Sequence, residues 1–102
     1  MAENLEDYLL HIVMTTRKPK QYGKDLTGWI EYGASPRASI ALDRCARAHA
    51  WLAGRDFVAP EDIQEMAHDV LRHRIILSFE AEAEGITKDK FIHTLISRIA
   101  VP

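Results

Sequence analysis

Ser35-Pro36 and Gly54 bracket the most constrained stretch of this chain. Serine caps a helix by accepting a hydrogen bond from a first-turn N–H, and proline suits the first helical position, where its missing N–H costs nothing. Glycine just past the other end supplies a left-handed stop. The spacing predicts a helix from Ser35-Pro36 to about Ala53. On a helical wheel Ala38, Leu42, Cys45, His49 and Leu52 form its core stripe. A different sector carries Arg37, Arg44 and Arg47, interleaved with Ile40 and Trp51. A purely solvated face needs neither isoleucine nor tryptophan, so this sector reads as a surface that meets something.

The remaining segments alternate helical periodicity with turn signals. Asn4 is placed to cap a first helix, with Glu6 and Asp7 in the first turn where acids suit the dipole. Leu5, Leu9, Ile12, Val13 and Thr16 share one face of it, while Leu10 and Met14 lie off that face. A helix apolar over so much of its circumference is usually covered on two sides or touches a partner. Pro19 ends it. Residues 18–34 read as a loop, with Trp29, Ile30 and Tyr32 forming one short strand or extended arm between Gly28 and Gly33. Pro60-Glu61-Asp62 opens a third helix, whose inner face is Ile63, Met66, Ala67, Val70 and Leu71. Ile75-Ile76-Leu77 reads as a short buried strand or a continuation of the third helix, with the strand favoured, and Phe79 to Gly85 as an extended or one-turn solvated connector. Thr87 caps a last helix with Phe91, Ile92, Leu95 and Ile99 inward. The expected fold is mainly α: one domain over 1–102, a bundle of four principal helices with at most a small two-stranded ribbon.

Composition excludes several classes. The chain has 102 residues, 47% hydrophobic and 27% charged, enough for one core and unlike a disordered segment. Its net charge of −2 provides no general attraction to nucleic acid or to an anionic membrane. The single cysteine, Cys45, rules out an intrachain disulfide and a zinc ribbon. No apolar run approaches the ~18 residues of a membrane span, and Met1-Ala2-Glu3-Asn4 opens no signal peptide. A cytoplasmic setting is the simplest expectation. The only Gly-Lys pair, Gly23-Lys24, is followed by Asp25, so the chain by itself holds no P-loop.

Arg37 is the most informative candidate residue. A cation in the first turn of a helix sits at the wrong end of the dipole and costs roughly 0.3–1 kcal/mol. A bound anion would reverse that sign, since the free N–H groups after Ser35, the positive helix end and the guanidinium would all attract a phosphate. The competing reading is a surface arginine whose stem packs on Trp29 or Tyr32. Other candidates are weaker. His68 and His73 are off the i, i+4 spacing of a helical metal pair, so no metal site is expected. His49 reads as a satisfied core or boundary histidine and Cys45 as a small buried apolar side chain. Lys18, Lys20 and Lys24 near Tyr22 leave a rival open, a free-standing nucleic-acid-binding or protein-interaction module that would also use Arg37, Arg44 and Arg47.

Gly33-Ala34-Ser35-Pro36-Arg37-Ala38 resembles the signature that opens a lid helix in the MoxR family of AAA+ ATPases. Gly54-Arg55-Asp56-Phe57-Val58, Pro60-Glu61-Asp62-Ile63, Val70-Leu71-Arg72-His73-Arg74-Ile75 and Phe79-Glu80-Ala81-Glu82-Ala83-Glu84-Gly85 follow in the family's order, and the helix ending Thr15-Thr16-Arg17 resembles the one joining core to lid. The similarity covers residues 5–102. It implies a C-terminal helical lid of a MoxR-like ATPase, without the nucleotide-binding core. In that family Arg37, with Ser35 and Pro36, matches the second-sensor arginine that reaches the γ-phosphate of ATP held with Mg2+ by the core. The implied partners are the core, neighbouring subunits of a ring and von Willebrand factor A-type proteins, and the sector of Ile40, Arg44, Arg47 and Trp51 is expected to face the core or a neighbouring subunit. The implied role is chaperone-like maturation or assembly of other complexes. Two departures stand out: Ala59 replaces a capping threonine, and His68-Asp69 replaces a proline break, so the third helix is expected to run on.

Overall fold

A computed structural model describes residues 2–102. Helix α1 (Glu3–Thr15) is followed by a 3-10 turn (Pro19–Tyr22), α2 (Lys24–Trp29) and strand β1 (Ile30–Tyr32). Then come α3 (Ala38–Leu52), α4 (Pro60–Arg72), β2 (Ile76–Leu77), α5 (Phe79–Ala83) and α6 (Lys88–Arg98). The four long helices are those expected, and β1 and β2 form the small antiparallel ribbon, pairing Ile30 with Leu77 and Tyr32 with Ile76. The 18–34 segment is more ordered than a loop, because Leu26 is fully buried and the 3-10 turn and α2 wind around it. Of the two forms expected for the segment after Leu77, the one-turn form is the one observed, as the short helix Phe79–Ala83: the Ser78 hydroxyl caps it by accepting from the Ala81 N–H, and Ala81 is buried.

The core collects the inner faces of α1, α4 and α6: Ile12, Val13, Ile63, Leu71, Phe91, Ile92 and Leu95 are all fully buried. Full burial of such side chains contributes roughly 1.5–3 kcal/mol each. Arg98, at the end of α6, closes the opposite corner. Its guanidinium grips both carboxylate oxygens of Asp25 at 2.8 and 2.9 Å and donates to the Tyr22 carbonyl at 2.7 Å. That bidentate bond pulls the Asp25 carboxyl down to about 2.

Three boundary expectations need correction. Asn4 is inside α1, because the Ala2 carbonyl already accepts from Leu5 N and Glu6 N; Ala2 is the N-cap. Pro36 and Arg37 form a turn, and α3 begins at Ala38 with Arg37 as N-cap. Leu52 is 79% exposed and does not belong to the core. The buried line of α3 instead follows the i, i+4 ridge Ala38, Leu42, Ala46 and Ala50, whose alanines let α4 approach closely. Alanine is a weak signal in a hydrophobic pattern, and the bulkier Leu52 drew the stripe the wrong way. Gly54, at φ 81°, does end the helix: Arg55 N donates to Ala50 O and Gly54 N to Trp51 O.

The entry to α3 is set by contact with the end of α1. The buried Thr16 hydroxyl donates to Val13 O at 2.6 Å and accepts from Ala34 N at 2.9 Å. One residue earlier, Gly33 lies so close that a Cβ would stand 2.4 Å from Thr16 O and 2.6 Å from the Arg17 Cα. Gly33→Ala is therefore expected to lower stability by about 1–3 kcal/mol through overpacking. Gly28→Ala, in open space within α2, should be neutral or stabilising by up to about 1 kcal/mol. Urea unfolding of both variants checks the contrast; equal midpoints would contradict it.

Candidate functional site

Arg37 stands at the start of α3, exposed, and among the described residues its side chain makes no hydrogen bond or ion pair. Arg47, Arg55, Arg72 and Arg98 by contrast are each engaged by a carboxylate. Ser35 and Pro36 are exposed beside it. The surrounding backbone is not free in the manner expected. Ala38 N donates to Ser35 O, Ser39 N to Pro36 O and Ile40 N to Arg37 O, at 2.9, 3.1 and 3.1 Å. The helix opens with tight i−3 bonds that use these N–H groups internally. An anion here would meet the guanidinium and the positive end of α3, not a cradle of bare amides.

The outward sector of α3 is as expected in part. Ile40 is 56% and Trp51 76% exposed, and Arg44 is exposed. Arg47 is tied to Asp43 at 3.0 Å and lies 4.0 Å from Glu6 of α1, so it rivets α1 to α3 as well as facing solvent. Leu10 of α1, off the core face and 47% exposed, shares a shallow groove with Ile40. The apolar surface therefore continues from α3 onto α1.

At the other end of α3 lies a cluster that sequence reading did not assemble. Asp62 is fully buried. Its carboxylate accepts from Ala59 N at 2.7 Å, from His49 Nδ1 at 2.6 Å and from the Arg55 guanidinium. Burial pushes the Asp62 carboxyl up, but the Ala59 amide, His49 and Arg55 together outweigh it and hold the carboxyl below its ordinary value. This resolves the Ala59 departure. With no side-chain oxygen at the N-cap, the Asp62 side chain reaches back to the cap's own N–H, and α4 starts at Pro60 as expected. His49 is thus the satisfied boundary histidine anticipated, and Cys45 is free and half-buried. The signal was present in sequence as an acid at the third helical position after a non-capping residue. Its half-buried partners, thirteen and seven residues earlier, were not inferable from spacing.

The remaining candidates do not converge. His68 lies 3.7 Å from Asp89, with the His93 ring centroid 6.3 Å away, and His73 is exposed at the end of α4. Among the described residues no group of three His, Cys, Asp or Glu side chains could hold a metal ion. Helix α4 runs through His68-Asp69 to Arg72. No helix among the described residues is long and apolar enough to cross a membrane.

Comparison with known proteins fits this architecture. The AAA lid domain family matches residues 28–95. The chain is 42% identical over 99 residues to the chaperone MoxR1 of Mycobacterium tuberculosis, covering 96% of this chain and 26% of that protein. It is 37% identical over 105 residues to the protein MoxR of Methylorubrum extorquens, covering 96% and 30%. A crystal structure of a protein assigned as an ATPase from Cytophaga hutchinsonii superposes with a TM-score of 0.91 at 47% identity, over 99% of this chain and 31% of that one. The chain belongs to the AAA lid domain family, in its MoxR-type AAA+ branch. It spans between about a quarter and a third of the length of these relatives.

The Asp62 cluster makes stability depend on pH in a defined direction. A carboxyl held below its ordinary value near pH 4 contributes its full stabilisation above that value and loses it as pH falls through the lower folded value. At pH 7, Asp62→Ala should cost about 2–3 kcal/mol, the range for hydrogen bonds to a charged group. Below about pH 4 that deficit should shrink, because the wild type then loses the same interactions. Urea titrations of both proteins at neutral and acid pH check this; a deficit independent of pH would contradict it.

Proposed function

We propose that this chain serves as the C-terminal lid of a ring-forming MoxR-like ATPase, and that Arg37 is its nucleotide-facing residue. The supporting observation is the unpaired, exposed guanidinium at the positive end of α3, in the stretch 33–38 that carries the family signature. A cation there lowers the stability of the lid alone and gains its favourable sign from an anion. The donor set suits a contributor to a phosphate site rather than a whole one: a single guanidinium, with no P-loop in the sequence and no metal-holding group of acids among the described residues. ATP and Mg2+ would be held by a core domain in the rest of the protein, and the bound nucleotide would supply the transferable phosphoryl group.

In this reading Arg37 presents planar N–H donors to phosphate oxygens and offsets charge that develops on them. Gly33 and Thr16 position it by fixing where α3 begins. Ser35 and Pro36 shape the turn before it. Ile40, Arg44, Arg47 and Trp51 form the face toward the core or the neighbouring subunit. The relative called a chaperone supports a role in maturing or assembling other complexes, with von Willebrand factor A-type proteins as the partners the family resemblance suggests and the cytoplasm as the setting. A free-standing nucleic-acid module is the weaker reading: Arg47 is already bound to Asp43, and the net charge is −2.

In the full-length parent, Arg37→Ala should lower the ATP hydrolysis rate by about tenfold or more, the scale of losing a charge-stabilising donor. The stability of the lid itself should change by no more than about 0.5 kcal/mol, as for an exposed residue. Steady-state hydrolysis and thermal unfolding measure the two effects; unchanged turnover would remove the role. In the assembled parent, Ile40, Arg44, Arg47 and Trp51 should lie in contact with protein, and a structure of the assembly that leaves all four solvated would refute the interface.

A further inference from the structure

Helix α1 buries one face in the core and turns a second, narrower stripe outward. Asp7, Leu10, Met14 and Arg17 follow one another at steps of three, four and three residues, so they stand in line along it. The Arg17 amide still donates to Met14 O, so the winding carries on past the helix end as far as this residue. Leu10 and Met14 are apolar, yet each is 47% exposed. Leu10 also lines the shallow groove against Ile40 of α3, about 250 Å³ in volume. Asp7 and Arg17 are exposed, and neither side chain joins an ion pair or hydrogen bond among the described residues. Charge along this segment is polarised: Glu3, Glu6 and Asp7 all precede Leu10, and Arg17, Lys18 and Lys20 all follow Met14. The helix dipole accounts for that order of charges, but not for two exposed apolar side chains set between them.

We propose that this stripe is a self-association surface, covered by a second copy of this chain with the two α1 helices antiparallel. The order of charge and apolar side chains decides the occupant. Turned about a two-fold axis midway between Leu10 and Met14, the stripe meets its own complement. Asp7 falls opposite Arg17 of the second copy, Leu10 falls opposite Met14 of the second copy, and each pairing occurs twice. The groove beside Ile40 gives the incoming methionine a seat. Parallel helices would instead set Asp7 on Asp7 and Arg17 on Arg17. A uniformly acidic or uniformly basic partner satisfies only one end of the stripe. The contact is isologous and closes at two copies, unlike the head-to-tail contacts of a ring, and it needs neither Arg37 nor nucleotide. The strip is about 20 Å long, thirteen residues at about 1.5 Å each, and one helix wide. An interface that small is of the weak, transient kind, so pairing is expected at about 100 µM and above.

The test is sedimentation velocity of the 102-residue chain, run from about 10 to about 500 µM. The dimer fraction should rise with concentration. Raising salt from about 50 to about 500 mM should weaken the association about threefold or more, as screening shortens the reach of exposed charges. Leu10→Ser, an exposed change, should weaken it about tenfold by removing apolar contact on both copies. Asp7→Lys and Arg17→Glu should each weaken it about tenfold or more, since either change sets like charges opposite one another twice. Mixed in equal amounts, those two variants should pair again, because each supplies the charge that the other lacks. The chain carrying both changes should also pair with itself, which keeps the test decisive if either single variant fails to fold. Circular dichroism reports folding for each. A monomer at every concentration would overturn the proposal. So would unchanged association in Leu10→Ser, or a mixture that associates no better than its separate components.

Discussion

The backbone of Gly33 runs against the last turn of α1 with no room for a side chain, and the rest of the candidate site depends on that contact. It brings Ala34 N to the Thr16 hydroxyl, which is itself anchored to Val13 O inside α1. The polypeptide leaving this point has three residues before α3 begins, so its direction is nearly determined. Arg37 needs no contact of its own to be held in place. Its backbone is positioned from behind, and its side chain is left free to face outward. A threonine buried at the end of a helix would ordinarily be a modest liability. Here the hydroxyl both donates and accepts, and neither partner goes unpaired.

The join between α3 and α4 follows a different logic. Its packing surface is made largely of alanine, so dispersion and burial alone would hold it loosely in register. The carboxylate of Asp62 supplies the register. An ionised group taken fully out of water is tolerated only where donors surround it, and it finds them on the Ala59 backbone, on His49 of α3 and on Arg55 beyond the helix stop. Sliding α4 by one residue would carry the carboxylate away from His49 and Arg55 and leave it only the Ala59 amide of its own helix cap. The arrangement is not perfectly economical, since Arg55 Nε is buried without a partner. It is nevertheless well matched to a short connector that must turn a helix back on its neighbour.

Much of this was legible in the chain before the structure. Thr87, Pro60 and Gly54 marked their helix ends because capping and stopping are local chemistry, complete within four residues. The inward faces of α1, α4 and α6 followed from leucine, isoleucine and phenylalanine at helical spacing, and their burial agrees. The ribbon was half legible, since the β-branched Ile75-Ile76 favoured a strand over a continued helix but its pairing with Ile30 and Tyr32 was settled by distant residues. The failures have a common cause, which is that distant atoms decided them. Leu26 makes the 18–34 segment fold by burying itself, and nothing near it in sequence announces a cavity to fill. Leu52 was misplaced because the alanine ridge matters only once α4 is present. The first-turn amides of α3 were thought free because a proline start says nothing about how tightly the chain will wind after it. Arg37 as a candidate was readable from the dipole; its lack of a partner within the lid needed coordinates.

Helix α3 is held at one end by the Thr16 contact and at the other by Asp62, with small side chains between. Fifteen residues make it about 22 Å long. Such a rod is stiff along its length. A tilt of about 10° about its Arg37 end would carry Trp51 by about 4 Å. The distance between the two ends thus turns a small angular displacement into a translation comparable with a side chain's width.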